Sequence, residues 1–255
     1  MRKLEMEIFV SFAATFVLCS LIGGATYYKK ALDGPGSLLA FIIGMVIGVF
    51  GHIIWVGMLL LFMSASFIAT RFKYEAKKAR GVAEGKEGTR GAINVAANGL
   101  VPTLICVIGY FFGRLGYIDL KCTGLVFVTA ISSAASDTLA SEIGVFSDRV
   151  VLITNPMMRV KAGTDGGISV LGELAAFGAA VFVSVVYWVL SYPFGLIPGE
   201  WYMLFLPIIF GFLGCQIDSV LGATLERRKI IGKHGVNFLS ILLASLLVFL
   251  VVIFI

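Results

Sequence analysis

The stretch Cys122-Thr-Gly-Leu-Val-Phe-Val-Thr-Ala-Ile-Ser-Ser-Ala-Ala-Ser-Asp-Thr-Leu-Ala-Ser-Glu-Ile143 decides the fold. It has the length a helix needs to cross a bilayer, about 20 residues, yet it carries Asp137. At about 1.5 Å per residue, that carboxylate lies about 9 Å short of the end of the run. An ionisable group inside a span costs several kcal/mol, so a chain that keeps one is expected to use it.

Seven further apolar runs flank this one, near 8–28, 37–51, 53–70, 93–113, 168–190, 201–221 and 237–254. Of the 255 residues 59% are apolar and 14% charged, with a mean hydropathy of +0.99. Soluble chains carry roughly a quarter charged residues, so a water-soluble globule is excluded. The runs 37–51 and 53–70 are short and meet at Gly51-His52, as either a tight hairpin or one broken helix. The reading is an all-α, polytopic transmembrane helix bundle of about eight spans, some short or broken, forming one domain over 1–255. Two glutamates, Glu5 and Glu7, precede the first run, which favours a first membrane helix over a cleaved signal peptide.

With eight spans, the loops 29–36, 71–92, 144–167 and 222–236 share one side. They hold all of the 20 Lys and Arg except Arg2, Lys3, Arg114 and Lys121. The positive-inside bias places these loops in the cytoplasm of a multi-pass protein of the cell membrane. The same bias accounts for the net charge of +5. No basic segment interleaves with aromatics, so nucleic acid is not an expected partner. Cys19, Cys106, Cys122 and Cys215 form no CxxC pair, and neither His52 nor His234 has ligand spacing. They read as packing residues rather than a metal or disulfide framework.

A second intramembrane carboxylate, Asp218, lies in Gly214-Cys-Gln-Ile-Asp-Ser-Val-Leu-Gly-Ala-Thr-Leu-Glu226. It weakly repeats the pattern of Ala134-Ala-Ser-Asp-Thr-Leu-Ala-Ser-Glu-Ile-Gly144. Both aspartates fall near the cytoplasmic ends of their helices. Asn94 and Asn98, four apart on one helix face, occupy a comparable depth. These groups either satisfy one another as interhelical hydrogen bonds or converge on a ligand. Carboxylates plus substrate phosphates are the donor set magnesium prefers. The segment Arg159-Val-Lys-Ala-Gly-Thr-Asp-Gly-Gly-Ile-Ser169 leads a glycine-rich turn into a helix. It either offers free N–H groups and positive charge to an anion or caps the helix through Thr164 or Asp165. Of the basic loop 71–92, Lys86 and Arg90 adjoin the Asn94 helix and are the expected ligand contacts; the rest fit an ordinary positive-inside loop.

Asp137–Gly144, the Gly163–Ser169 turn, Asp218–Leu225, His234-Gly-Val-Asn-Phe-Leu-Ser240 and Gly91-Ala-Ile-Asn-Val-Ala-Ala-Asn-Gly99 together resemble the phytyl-phosphate kinase family of integral membrane proteins. The resemblance covers nearly the whole chain in order. More distantly, the family is similar to dolichol kinase, phytol kinase and CDP-diacylglycerol synthase, which share an Asp-bearing helix followed by a Lys and Gly motif. The resemblance implies a kinase that converts an isoprenyl monophosphate (phytyl, geranylgeranyl or polyprenyl) to its diphosphate with CTP and Mg2+. On this reading Asp137, Asp218 and Lys161 are catalytic, and Asp137, Asp218 and Glu142 hold the metal. Thr164, Asp165, Gly166, Gly167, Lys161 and Asn98 bind nucleotide, and Arg90, Asn94, Ser141 and Asn237 bind the substrate phosphate. The partners are the lipid phosphate, the nucleotide triphosphate and the bilayer, with association into homo-oligomers left open. Two alternatives stand beside it: a CTP-dependent cytidylyltransferase making a CDP-lipid, and a membrane transporter, for which the Asp repeat and the interrupted second and third runs speak.

Overall fold

A computed structural model describes residues 2–85 and 88–254; Lys86 therefore lies outside the described residues. Eight apolar helices run in alternating directions: α1 (Arg2–Tyr28), α2 (Gly34–Phe50), α3 (Ile53–Arg71), α5 (Ala92–Arg114), α6 (Leu120–Gly144), α7 (Val170–Ser191), α8 (Phe205–Leu221) and α9 (Lys233–Phe254). A short helix, α4 (Tyr74–Ala79), lies between α3 and α5. Seven of the apolar helices are long enough to span a bilayer on their own, and α2 is shorter at 17 residues. The protein is a polytopic all-α membrane bundle.

Helix starts follow local chemistry. Asp33 accepts from Gly36 N at 2.7 Å, Asp119 from Cys122 N at 2.6 Å, and Ser169 from Gly172 N at 3.1 Å, each meeting an orphan N–H of the first turn. The segment 37–70 resolves as a hairpin. Gly51 ends α2, and His52 Nδ1 caps α3 by accepting from Ile54 N at 3.2 Å.

The loops at one end of the bundle are tied together. Asp33 N donates to Arg90 O at 3.1 Å, Arg71 to Lys29 O at 3.1 Å, and Arg80 to Val145 O at 2.8 Å; Lys233 pairs with Glu84. Between α6 and α7 the chain forms a small antiparallel sheet in the order β2-β1-β3, from β1 (Val150–Leu152), β2 (Asn155–Val160) and β3 (Gly167–Ile168). Val151 pairs with Arg159 on one side and Ile168 on the other.

Helix α6 is the axis of the bundle, packed on α3, α5, α7, α8 and α9. Lipid tails are as apolar as leucine, so helices in a membrane associate through close fit rather than hydrophobic burial. Glycines supply that fit. An added Cβ at Gly211 would collide with Ser132, one at Gly214 with Ser133, and one at Gly109 with Thr123. Trp55 of α3 stacks on Phe127 of α6 with ring centroids 5.0 Å apart. The close approach of α8 and α9 to α6 sets the positions of their polar residues.

Candidate active site

The ends of α6, α7, α8 and α9, the segment 81–84 and the turn before β3 enclose a polar cavity of about 350 Å³. Helix α6 contributes Asp137, Ser141 and Gly144; α8 contributes Cys215 and Asp218; α9 contributes Lys233. Asp137 and Ser141, four apart, share a face of α6. The turn places Thr164, Asp165, Gly166 and Gly167 on the same cavity.

The turn is held against the end of α8 by bare backbone. Gly166 has φ +73, and an added Cβ would sit 2.6 Å from Ala223 N. Gly222 approaches Gly166 just as closely, with 3.0 Å from its own added Cβ to Gly166 N. After Leu221 the chain widens into a π-turn over Gly222–Glu226, a feature common at functional sites. Within the glycine turn, Thr164 N donates to Lys161 O at 3.2 Å and Gly167 N to Thr164 O at 2.8 Å. The Asp165 and Gly166 N–H groups have no partner among the described residues. The cap of α7 is Ser169, not Thr164 or Asp165.

Asp137 and Asp218 face one another within side-chain contact. Ser240 donates to Asp218 Oδ2 at 2.9 Å, and Asn237 Nδ2 lies 3.5 Å from Asp137 Oδ2. Lys233, Asn237 and Ser240 are spaced by four and three along α9, so one helix face serves both carboxylates.

The cavity is acidic. Asp137, Asp218, Glu84, Glu142, Asp165, Glu173 and Glu226 line it, against one basic residue among the described ones, Lys233. Two facing carboxylates in a site partly shielded from water repel one another unless a cation lies between them. Among the described residues no three His, Cys, Asp or Glu side chains cluster closely enough to cage an ion alone. A pair of carboxylates completed by waters and phosphate oxygens is the arrangement that suits Mg2+ rather than an all-protein cage. The donor set is compatible with the magnesium ion expected from sequence, which Asp137 and Asp218 would hold.

Glu142 also lines this cavity, but its oxygens are engaged. Oε2 meets Lys77 Nζ at 2.6 Å, and Oε1 accepts from Thr70 at 2.5 Å with Arg90 Nη2 at 3.5 Å. Lys77 is 1% exposed and also donates to Ala69 O at 2.6 Å. A carboxylate with these partners is a structural anchor for the loop after α3.

The remaining expected residues divide. Lys161 is exposed at the end of β2 and does not line the cavity. Arg90, Asn94 and Asn98 line a second, apolar cavity of about 490 Å³ between α1, α2, α3 and α5. Arg90 stands at the boundary of the two: it donates to Thr70 Oγ1 at 2.9 Å and lies 3.9 Å from Glu84.

Lys233 and Glu84 are among the site residues that sequence reading does not single out, with Ser240, Glu173 and Glu226. Lys233 begins α9, where its charge is indistinguishable from a positive-inside residue. Glu84 sits in Val82-Ala-Glu-Gly85, with no local signal of a partner 149 positions away. Burial alone would push the Glu84 carboxyl up, but Lys233, with Arg90 and His234 nearby, outweighs burial and holds it below the usual carboxylate range.

The chain falls in a defined class of membrane proteins. The model of the integral membrane protein DUF92 family matches residues 17–245, and the chain belongs to that family. It is 28% identical to an uncharacterised membrane protein of Methanocaldococcus jannaschii, over 92% of each chain. It is 30% identical to protein PGR of Arabidopsis thaliana, over 91% of this chain and 92% of that one. The chloroplastic protein VTE6 of the same plant is 30% identical over 74% of this chain and 57% of its own length. No solved structure matches. The membership agrees with the family likeness carried by the Asp137, Gly163, Asp218 and His234 segments.

Proposed function

We propose that this protein is an integral membrane phosphotransferase that phosphorylates an isoprenyl monophosphate to the diphosphate, with CTP as donor and Mg2+ as cofactor. One observation carries the reading: Asp137, Asp218 and the Thr164–Gly167 turn line a single cavity at the end of the bundle. A triphosphate would not enter so acidic a pocket unaccompanied, and enters readily as its magnesium complex. The loops at this end carry most of the basic residues, so we read it as the cytoplasmic end.

In the reaction, an oxygen of the acceptor phosphate bonds to the γ-phosphorus of CTP. The bond from that phosphorus to the β–γ bridging oxygen breaks, CDP leaves, and the lipid keeps two phosphates. The acceptor is already anionic near neutral pH, so no strong general base is required. The chain's own residues hold and orient. Asp165 and Gly166 present N–H groups to the nucleotide phosphates, and Lys233 supplies a positive charge beside them. Ser240 fixes the Asp218 carboxyl, and Arg90 faces the acceptor phosphate. Bound magnesium would neutralise triphosphate charge and steady the transferring group.

Purified protein in lipid nanodiscs with magnesium, an isoprenyl phosphate and CTP labelled at the γ position gives the test. Label in the lipid is expected. Label appearing only in pyrophosphate would assign cytidylyl transfer instead, and label remaining in CTP would refute both.

A further inference from the structure

The apolar cavity between α1, α2, α3 and α5 is larger than the polar one, and of its lining residues only Arg90 enters the steps above. Its walls are mostly aliphatic and aromatic, with Ile43, Leu59, Phe62 and Met63 among them. None of the described lining residues is acidic, whereas Lys29 and Arg90 are basic. Two buried polar atoms at the Arg90 end lack a partner: Arg90 Nε, a donor, and Asn98 Oδ1, an acceptor on a side chain 4% exposed. A buried polar atom without a partner costs free energy until something supplies one.

A ligand satisfying all of this has one anionic head group that also carries a proton to donate. A phosphate monoester can: its second pKa of about 6 leaves a minor, singly protonated fraction near neutral pH that is both anion and donor, whereas a phosphodiester or a carboxylate has none. A cavity of about 490 Å³ falls in the range of small-molecule pockets, roughly 300–1,000 Å³, and takes a single hydrocarbon chain. A second, small cavity of about 20 Å³, lined by Cys19, Phe41 and Gly44, shares Leu60 and Met63 with it as common wall residues.

We infer that this cavity binds the tail of a single-chain lipid monophosphate, with its head group on Arg90 Nε and Asn98 Oδ1, and that Leu60 and Met63 set the chain length accepted. The inference deepens the proposed function and rests on it only in taking the bound lipid as the acceptor. Arg90 lies 3.9 Å from Glu84 and 3.5 Å from Glu142 of the polar cavity, so a head group held on it would sit where the two cavities meet, beside the nucleotide site.

Binding is read without nucleotide, by ligand-dependent shifts in melting temperature. The probes are alkyl monophosphates of 10, 14 and 18 carbons, the matching alkyl trimethylammonium compounds, and inorganic phosphate. The alkyl phosphates are expected to bind at least about 10-fold more tightly than the ammonium series, and inorganic phosphate to give no shift. Asn98→Leu is expected to weaken every alkyl phosphate about 10-fold. Met63→Trp is expected to reduce binding of the 18-carbon probe about 10-fold relative to the 10-carbon one. Arg90→Gln removes the cation but also a contact to Thr70, so the other two variants decide if it does not fold. Equal binding of phosphate and ammonium probes, or an unchanged chain-length order in Met63→Trp, overturns the inference. If label passes from CTP to lipid while alkyl phosphates fail to bind this cavity, the site falls and the kinase stands. If the alkyl phosphates bind as described and no label is transferred, the site stands and the kinase falls.

Discussion

The Lys77 ammonium and the Glu142 carboxylate, 65 positions apart, meet at 2.6 Å with side chains 1% and 3% exposed. Removing one member of such a pair strands a buried charge and costs about 3–5 kcal/mol. Glu142→Gln is therefore expected to lower the melting temperature in detergent markedly. The double variant Lys77→Met/Glu142→Leu should recover much of the loss. A Glu142→Gln protein that melts normally but has lost its magnesium requirement would instead make Glu142 a ligand.

Asp137→Asn keeps the shape of the side chain and removes one of two facing carboxylates. Transfer activity should fall by more than about 100-fold, as for loss of a metal-holding group. Melting should be unchanged or raised, because a like-charge contact with Asp218 has gone. Wild-type turnover in this variant, measured with labelled nucleotide, would remove Asp137 from the site.

Gly166→Ala places a Cβ against Ala223 at a left-handed backbone position. Strain of about 1–3 kcal/mol is expected, and it falls on the joint between the turn and α8. The nucleotide KM should rise while the lipid KM holds. An equal rise in both would show that the turn does not serve the nucleotide alone.

Lys233→Ala and Lys161→Ala separate the cavity lysine from the exposed one. The first should raise the nucleotide KM about 10-fold, in the range of a lost charged hydrogen bond, and the second by less than about twofold. Reversed values would return the role to Lys161.

The Glu84 carboxyl is held below its ordinary range in the folded protein. A depressed folded pKa contributes stability that is fully present above the unfolded pKa, about 4.3 for Glu. That stability is lost as pH falls through the lower folded value. Melting temperature followed from pH 7 into the acid range should fall below about pH 4.3, and Glu84→Gln should flatten that part of the curve. Parallel curves for the two proteins would contradict the Glu84–Lys233 pairing.

The spans and the two aspartates are legible in the sequence because a bilayer makes every polar residue in a long apolar run conspicuous. Asp137 and Asp218 stand out in this way, the Thr164–Gly167 turn stands out by its glycines ahead of a helix, and all of them line one cavity. The sheet is not legible. β1 has three residues, and its register shifts between Val151 and Leu152, so no period-2 pattern can build up. Lys161, just after β2, is exposed and off the cavity that the neighbouring glycines line. Arg90, Asn94 and Asn98 read as part of the same polar layer because sequence gives depth along a helix but not its rotation. Rotation is fixed by packing, and packing turns these three toward the apolar cavity.

The contrast between α6, which buries 83% of its span, and α1, which buries 11%, has a mechanical consequence. Bilayers of different thickness are accommodated by tilting whatever helices are free to tilt. The outer helix and the greasy chamber it walls can yield to that demand, while the central helix keeps its carboxylate at fixed depth. Changes in membrane composition should thus alter which lipids are admitted and leave the chemistry performed on them intact.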